Sequence, residues 1–549
     1  MLGSVTHGYD NAFRMNSERV NGGSTVTYGY DADGVLSTLT GTWGTLTLTP
    51  DPVSGLLTNT SIGTVASTMG YNVHGELTDL DYTKGGAPYY HEHLVRDVLG
   101  RITQIDETFA GASTSRTYGY DAAGRLASVT EAGDPSASRS WVYDDSLPGN
   151  GNRTLARYAP GVAPDSAFYD VQDRLLRYGN DVGGASYTWT AAGELAQRNR
   201  PDQRLTTTYD VLGNLTVATM EPLVSGNQPT GVVTTTTVSY RVDGQNRRVE
   251  RRLSGPGGTR TQRWLYRDGL APVAELDSVN AVVNRYVYGT QEHAPDLIVR
   301  TDGTYRVITD HLGSIRALVN IVTGAVAQRI DYDAWGNETQ NTAPALQALG
   351  YAGGLTDQDT RFIRFGARDY DPGVGRWTAK DPVGFLAGNG NLYGYVSSNP
   401  IRFNDPSGER PLNAFERCML SPYFDPGTLG VVDVSEGGGV PSDADAITLG
   451  RFVRFRPGTL SDDAEGLELL AHELVHIQQQ RQLGTAKFYE LYVVAWLAGL
   501  TSGQKPKDSY FNNPFEQEAY FRAAAIAEQM RASGRNNGRC GECEQLRGR

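Results

Sequence analysis

Two patterns of hydrophobic and polar residues divide this chain. Up to about residue 408, short alternating segments end in an aromatic residue that is followed by aspartate, glycine and an aliphatic residue. Alternation with a period of two predicts β-strands, and glycine between the segments predicts hairpin turns. Downstream, Leu467, Leu470, Ala471 and Leu474 recur at the spacing that places side chains on one face of an α-helix. We therefore predict a mainly β body followed by a smaller, mainly α region.

The β-rich segment repeats one degenerate unit. Its copies include Tyr28–Leu36, Tyr118–Leu126, Tyr209–Leu215 and Tyr240–Gly244. In each copy glycine supplies the turn, aspartate hydrogen-bonds the turn backbone, and tyrosine is expected to pack across to the next hairpin. A hairpin cannot bury its own face, so consecutive units must stack on one another. This predicts one spiralling antiparallel sheet in preference to a set of ordinary β-sandwiches.

Composition narrows the functional classes. The 65 glycines, 30 tyrosines and hydrophobic fraction of 39% suit a one-layer β shell, and the net charge of −13 argues against nucleic acid as a partner. Cys418, Cys540 and Cys543 cannot form a dense disulfide framework, and the last two fit a frayed tail or a local disulfide. We expect no N-terminal signal peptide and no stable membrane span, so export would require a secretion route that does not use a signal peptide.

A zinc-binding pattern lies within the predicted helix. Residues 472–476 read His-Glu-Leu-Val-His, and residues four apart lie one turn apart on the same helical face. His472 and His476 therefore offer two imidazoles to one Zn²⁺, with Glu473 beside them as general base. The chain has only eight histidines, so the pattern rarely arises by chance. The alternative is a solvated histidine pair on a surface helix.

Catalytic zinc commonly takes three protein ligands and a water. Downstream, Asn513 suits a helix N-cap and Pro514 the first helical position, so Glu516 is expected to reach back in a capping box. Glu518 lies between two phenylalanines three residues away on either side, and this apolar face should turn it inward, where an unpaired carboxylate is costly. We predict Glu518 as the third ligand. The alternatives are Glu516 as ligand and a surface ion pair between Glu518 and Arg522.

The C-terminal region resembles a known enzyme family. Residues 446–522 are similar to the gluzincin-type metallopeptidase domains at the ends of bacterial toxins and injection-system effectors, through the predicted strand Ile447–Phe455, the helix segment Leu470–Gln479 and a later glutamate-alanine helix. The resemblance implies zinc on the two histidines and Glu518, with Glu473 as base. It also implies that the strand forms a cleft rim that pairs with an extended peptide. The apolar insert Phe488–Leu500 is expected to pack as a core helix.

The repeats and the segments that follow them resemble the RHS/YD family. The resemblance implies a spiral antiparallel YD-repeat shell around a C-terminal cargo, with a closing segment known as the RHS-associated core. We predict a shell over residues 1–330, the core over 331–408 and a zincin-like α+β toxin domain over 409–549. The matching segments include Asp310–Arg316, Asp331–Asn337, Arg368–Trp377, Asp381–Phe385, Asn391–Tyr395 and Asp405–Gly408.

In this family the core acts as an aspartyl autoprotease that frees the cargo. The matching residues are Asp369 and Asp381, with Arg368 beside them. When two carboxylates share a proton, one can activate water while the other protonates the leaving group. The alternative is that these aspartates only form turns. The cut is expected shortly after Gly408, where relatives usually carry leucine and this chain has Glu409.

Together these features imply an exported toxin of interbacterial competition. Its C-terminal zinc metallopeptidase, enclosed by the shell and released by core autoproteolysis, would cut a protein in a target cell. The resemblance further implies delivery by a specialised secretion system, an immunity protein and a partner that completes the shell or belongs to the secretion apparatus. The alternative is a non-enzymatic delivery or adhesion protein whose C-terminal domain is a degenerate metallopeptidase fold used for binding.

Overall fold

The chain folds as two compact units. The YD unit comprises Met1–Thr6, Ser17–Pro382 and Asn391–Gly408, and the C-terminal unit comprises His7–Asn16, Val383–Gly390 and Glu409–Arg549. The computed structural model describes residues 3–11, 14–144, 150–159, 161–180, 183–224, 228–229, 235–267, 271–381, 391–408, 416, 419–424, 428–429, 432–436, 445–449, 452–456, 464–483 and 485–536.

One sheet of 31 strands dominates the YD unit. Its strands are β1 Val5–Tyr9, β2 Met15–Val20, β3 Thr25–Tyr30, β4 Leu36–Gly41, β5 Gly44–Pro50, β6 Leu57–Ile62, β7 Val65–Tyr71, β8 Leu77–Lys84, β9 Ala87–Arg96, β10 Ile102–Phe109, β11 Ala112–Tyr120, β12 Leu126–Glu131, β13 Asp134–Tyr143, β14 Arg153–Arg157, β15 Asp165–Tyr169, β16 Leu175–Gly179, β17 Ala185–Trp189, β18 Leu195–Asn199, β19 Gln203–Tyr209, β20 Leu215–Val224, β21 Gln228–Pro229, β22 Thr236–Val242, β23 Arg248–Gly255, β24 Gly258–Tyr266, β25 Pro272–Leu276, β26 Val282–Val287, β27 Leu297–Arg300, β28 Gly303–Thr309, β29 Ile315–Asn320, β30 Val326–Tyr332 and β31 Glu338–Asn341.

Consecutive strands pair antiparallel through the described sheet, as in β8–β9, β9–β10 and β10–β11. The short β21 is a side branch, because β20 pairs with both β21 and β22. Buried and exposed residues alternate along strands such as β5 and β6, which turn one face inward, whereas β25, β28 and β29 are buried over most of their length. The prediction of one antiparallel sheet built from stacked hairpins is confirmed.

The hairpin between β11 and β12 shows how the repeat works. Asp121 Oδ1 accepts hydrogen bonds from the backbone amides of Ala123 and Arg125 at 3.0 and 2.9 Å. Gly124 has a φ of +79°, which glycine adopts without strain. The Tyr120 hydroxyl donates to the Ile102 carbonyl at 2.6 Å, on the preceding hairpin. The expected contact with the next hairpin is wrong, because Tyr120 ends the first strand of its hairpin and that strand borders β10.

The early strands of this sheet contact its late strands. Arg285 on β26 pairs with Glu18 on β2 at 2.5 Å, and Arg316 on β29 pairs with Glu107 on β10 at 2.5 Å. All four side chains are buried. The sheet therefore turns back on itself, as a spiral requires.

The segment predicted as a separate core continues the same unit. β30 runs across the boundary predicted between residues 330 and 331, so the structure does not separate shell from core there. Beyond β31 lie a small sheet and two 3₁₀ turns, packed around fully buried aromatic rings that include Phe365, Tyr370 and Tyr395. These elements are β32 Leu355–Thr356, β33 Ile363–Phe365, β34 Arg368–Asp371, β35 Arg376–Trp377, and the turns Tyr351–Gly353 and Val396–Ser398.

The C-terminal unit combines a small mixed sheet with helices. Its elements are β36 Asp433–Glu436, β37 Ala446–Leu449, β38 Phe452–Phe455, α1 Ala464–Leu483, α2 Thr485–Thr501, α3 Pro506–Phe511 and α4 Pro514–Asn536. β38 lies between β36, to which it is parallel, and β37, to which it is antiparallel. The single strand predicted over 447–455 is therefore a hairpin, since the chain reverses between Leu449 and Phe452.

The apolar helix α2 differs from its prediction as a core helix. Phe488 is buried, but Val493, Val494 and Leu497 are 47%, 57% and 46% exposed, because α2 packs along one side only. Among the described residues, no helix combines the length and apolar character that crossing a membrane requires. Cys418, Cys540 and Cys543 lie outside the described residues.

Candidate metal centre and cleavage site

Helix α1 positions the histidine pair through its apolar stripe. Leu467, Leu470, Ala471 and Leu474 are buried at 0–3% exposure, in the main hydrophobic cluster of the C-terminal unit. This core-facing stripe is as the sequence predicts. The face that carries the histidines is buried as well, since His472, Glu473 and His476 are only 4–6% exposed.

Three potential metal ligands converge on this face. The Nε2 atoms of His472 and His476 lie 3.2 Å apart. Glu516 on α4 places Oε2 3.2 Å from His472 Nε2 and Oε1 3.5 Å from His476 Nε2. One ligand atom from each of these residues lies within 4.8 Å of the others. Two imidazoles and one carboxylate are the ligand types that three-ligand catalytic zinc sites use.

The third member of this group is Glu516, not Glu518. Glu518 is half exposed and contacts Arg522 at 3.4 Å and Gln479 at 3.1 Å. The prediction of Glu518 as ligand is thus corrected. As α4 packs, Glu516 faces the two histidines and Glu518 lies at the solvent-exposed side. Asn513 Oδ1 accepts from the amide of Phe515 at 3.2 Å, but the backbone amide of Asn513 donates to the Tyr510 carbonyl at 3.0 Å, so the capping-box role given to Glu516 is also wrong.

A second set of hydrogen bonds orients the ligands and the candidate base. His476 Nδ1 faces Gln479 Oε1 at 2.8 Å, so the proton belongs on Nδ1 and the Nε2 lone pair points toward the group. Thr448 on β37 donates its hydroxyl to Glu473 Oε2 at 2.6 Å. The hydroxyl of Tyr492 donates to Glu516 Oε1 at 2.5 Å. Each of these side chains is therefore held in one orientation.

The local electrostatics favour an ionised Glu516. Burial alone would raise the pKa of its carboxyl, but contacts with His472, His476 and Tyr492 hold that pKa well below its usual range. Burial, reinforced by the Glu516 charge, raises the pKa of Tyr510 and keeps its hydroxyl neutral. The site thus supplies a carboxylate at neutral pH, which a cation would complement.

In the YD unit, the structure places Arg368 at the predicted cleavage position. Arg368 Nε donates to the Gly408 carbonyl at 2.6 Å, while Nη1 pairs with Asp381 at 3.1 Å and Nη2 with Asp405 at 3.2 Å. Gly408 has a φ of +64°, and a Cβ there would lie 2.4 Å from the Phe365 carbonyl oxygen. Only glycine fits this close approach, which fixes the carbonyl on the arginine.

The other predicted member of the aspartyl pair has arginine partners of its own. Asp369 is buried, and its Oδ1 accepts from Arg248 at 2.8 Å while its Oδ2 accepts from Arg364 at 3.0 Å. The structure therefore ties Asp381 to the Gly408 carbonyl through Arg368, and it ties Asp369 to β23 and β33. A proton shared between the two carboxylates stays a prediction.

Sequence reasoning missed two residues that shape the candidate metal centre, Thr448 and Gln479, and it kept Glu516 only as the alternative third ligand. The available signal for Glu516 was its neighbour Pro514, which fixes the start of α4 and so the faces of the helix. Gln479 follows His476 by three residues, a spacing at which helical side chains meet. Thr448 lies on another element and leaves no such signal.

Comparisons with known proteins agree with this architecture. The family model described as Teneurin YD-shell matches residues 2–404, more than half of the chain. This is the class of protein that the stacked hairpins define, and the chain belongs to the Teneurin YD-shell family. A second model, described as eCIS core domain, matches residues 441–484 and so includes β37, β38 and most of α1.

Individual relatives cover the same region. Teneurin-3 of Danio rerio is 27% identical over 357 residues, which are 62% of this chain and 12% of the relative. Toxin subunit YenC1 of Yersinia entomophaga is 25% identical over 344 residues, 58% of this chain and 31% of the relative. The chain thus spans less than a third of either relative.

Solved structures share the fold. The Photorhabdus luminescens Tc holotoxin pore superposes with a TM-score of 0.59 at 18% identity, over 74% of this chain and 21% of that one. The crystal structure of TcdB2-TccC3-TEV gives a TM-score of 0.52 at 18% identity and the same 74% coverage of this chain.

Proposed function

We propose that this protein is a toxin component in which a YD shell delivers a C-terminal zinc-dependent peptidase. The convergence of His472, His476 and Glu516, with Glu473 beside them, carries the peptidase assignment. The relative named as a toxin subunit supports the toxin class. Under this proposal the peptidase is zincin-like and acts on a protein of a target cell.

The residues present fit Zn²⁺. With a proton on Nδ1 of each ring, the two facing Nε2 atoms are both acceptors, and Glu516 Oε2 is buried without a well-aligned hydrogen bond among the described groups. A bound Zn²⁺ would satisfy these atoms, lower the pKa of a water and polarise a peptide carbonyl. His472, His476 and Glu516 are the residues that would hold it.

The chain's own groups then perform the proton transfers. Glu473, held by Thr448, takes a proton from the attacking water and passes it to the leaving amine. Among the described strands, β37 pairs only with β38, and we assign its other edge to an extended peptide substrate. Because Thr448 lies on β37, a peptide added to that edge runs beside Glu473.

Release of the peptidase follows from the second site. We assign Asp369, Asp381 and Arg368 to self-cleavage after Gly408, with Arg368 polarising the Gly408 carbonyl through its 2.6 Å hydrogen bond. Asp381 and Asp405 both contact the same guanidinium, and we assign the activation of water to Asp381. Delivery from the producing cell, a shell-completing partner and an immunity protein belong to the same proposal.

Metal analysis of the purified full-length protein and its variants tests the peptidase. Zn²⁺ should bind at one equivalent; Glu516→Ala should lose it, and the matched Glu518→Ala should retain most of it. Glu473→Gln should keep zinc and abolish both hydrolysis and toxicity. Absence of zinc from the wild type, or full toxicity of Glu473→Gln, refutes the peptidase.

Two further outcomes are informative. Zinc bound by a wild type that neither hydrolyses peptides nor harms cells identifies the non-enzymatic binding protein instead. For self-cleavage, mass spectrometry should show a wild-type cut after Gly408 that Asp381→Asn and Asp369→Asn abolish. An intact wild type would show that Glu409 prevents the cut, and equal cleavage of the variants would refute the aspartates.

A further inference from the structure

A small arginine-lined cavity lies in the YD unit, beside Asp369. We call it the arginine cavity and define it by Arg247, Arg248, Arg364 and His293, which line it together with backbone near Gly353 and Pro406. Its volume is about 30 Å³. Since roughly 10–15 Å³ of such space holds one water, the cavity admits an occupant of one or two water-sized atoms.

The charges around this cavity do not cancel. Arg248 and Arg364 are both buried and share one carboxylate, that of Asp369, which lies 2.8 Å from the first and 3.0 Å from the second. Among the described residues no aspartate or glutamate lines the cavity itself. In direct contact, two fixed cations face one anion. The further carboxylate that acts on Arg248, Asp357, is paired with Arg251, so an excess positive charge remains at the cavity, and such a charge is costly without a counter-charge.

The hydrogen bonds of these two arginines also indicate a place for an anion. The Nε–H groups of Arg248 and Arg364 are buried and have no acceptor among the described groups. Other parts of the two guanidinium groups have partners. Arg364 Nη2 donates to Asn214 Oδ1 at 2.6 Å, and the Arg248 guanidinium lies 3.8 Å from the ring centre of Tyr240. Burial lowers the pKa of Arg364. The negative charge of Asp369 counteracts this lowering, and the positive charge of Arg248 lowers the pKa further.

We propose that the arginine cavity binds one small inorganic anion, of the size and charge of chloride, against the Nε–H groups of Arg248 and Arg364. An anion supplies both missing acceptors and cancels the excess charge, whereas a water molecule supplies only the acceptor. The site joins β23 to β33, so its occupant fastens the late sheet to the segment that carries Asp369. The inference does not depend on the peptidase or on zinc.

Bromide serves as the probe in crystals of the full-length protein. Bromide has the charge of chloride and a measurable anomalous signal, so crystals grown in sodium bromide should show a peak between Arg248 and Arg364. In solution, thermal unfolding at matched ionic strength should give a Tm about 2 °C or more higher in chloride than in gluconate, an anion too large for the cavity.

Two variants separate anion binding from general stability. Arg364→Gln should abolish the chloride-dependent part of the Tm. Arg376→Gln is the matched control, because Arg376 is also buried with an unpartnered Nε but does not line the cavity, so its chloride increment should persist. Equal increments in the two variants, or no bromide peak in the wild type, overturn the proposal. A bromide peak without a chloride-dependent Tm means binding at crystal concentration only and also overturns it.

Discussion

A buried histidine meets a buried glutamate in both units of this protein, with opposite consequences. In the YD unit His311 Nδ1 lies 2.8 Å from Glu92 Oε1, and Nε2 lies 2.8 Å from the Ile401 carbonyl oxygen. Both partners are acceptors only, and a neutral imidazole has a single N–H, so His311 is a cation. Both of its ring N–H groups donate hydrogen bonds within the folded protein.

In the C-terminal unit the ring nitrogens have a different set of neighbours. His472 and His476 turn their Nε2 atoms toward each other at 3.2 Å, and Glu516 lies beside both. Here one carboxylate faces two Nε2 atoms that also face each other, so a single cation between them would satisfy all three groups. The difference teaches that the groups around Nε2, and not the presence of a His–Glu pair, separate a structural contact from a candidate metal centre.

The largest effect should come from removing the carboxylate in the structural pair. Glu92→Gln leaves a buried imidazolium without its counter-charge, so we expect the free energy of unfolding to fall by about 3–5 kcal/mol at neutral pH. Glu131→Gln is the control, since Glu131 pairs with Arg116 nearer the surface and should lose about 1 kcal/mol or less. Denaturant unfolding measures both; similar losses would show that His311 is not a buried cation.

The pH dependence of stability should distinguish the pair as well. Burial alone would lower the pKa of His311, but the charge and hydrogen bond of Glu92 raise it from 6.5 to about 9. A raised folded-state pKa contributes stability that is fully present below about pH 6.5 and is lost as pH rises through about 9, up to about 3 kcal/mol. The advantage of the wild type over Glu92→Gln should shrink across this window. An advantage unchanged at pH 10 would contradict the assignment.

The sequence predicts the sheet better than the sites, for physical reasons. Asp121 and Gly124 act within one hairpin, so a local pattern is enough to specify them, whereas the contact of Tyr120 with the preceding hairpin depends on how the hairpins stack. The two histidines share one helix, and their spacing alone places them on one face. Glu516 comes from another helix, α4, and the packing of α4 decides which of its residues face the histidines. Glu516 faces them, whereas Glu518, two residues later, is half exposed to solvent.

The orientation of His476 should matter next. Gln479→Leu removes the acceptor at Nδ1, so we expect zinc affinity to fall by about 10–100-fold, the usual range for such partners. Gln479→Glu keeps an acceptor and should retain tighter binding than the leucine variant. Competition with a chromophoric chelator measures both affinities in the full-length protein. Equal affinity of Gln479→Leu and the wild type would show that the 2.8 Å contact does not orient the ligand.

The smallest expected effect concerns the general base. Thr448 donates to Glu473 Oε2 at 2.6 Å, and the Tyr489 hydroxyl donates to the Thr448 carbonyl at 2.6 Å, so β37 and α2 together hold the base in place. Thr448→Val keeps the side-chain shape and removes the donor, which should lower kcat about tenfold, or about 1.4 kcal/mol, while zinc content and KM stay unchanged. Thr448→Ser restores the donor and should restore kcat. A valine variant that loses zinc, or a serine variant as slow as valine, would show that Thr448 supports packing and does not position Glu473.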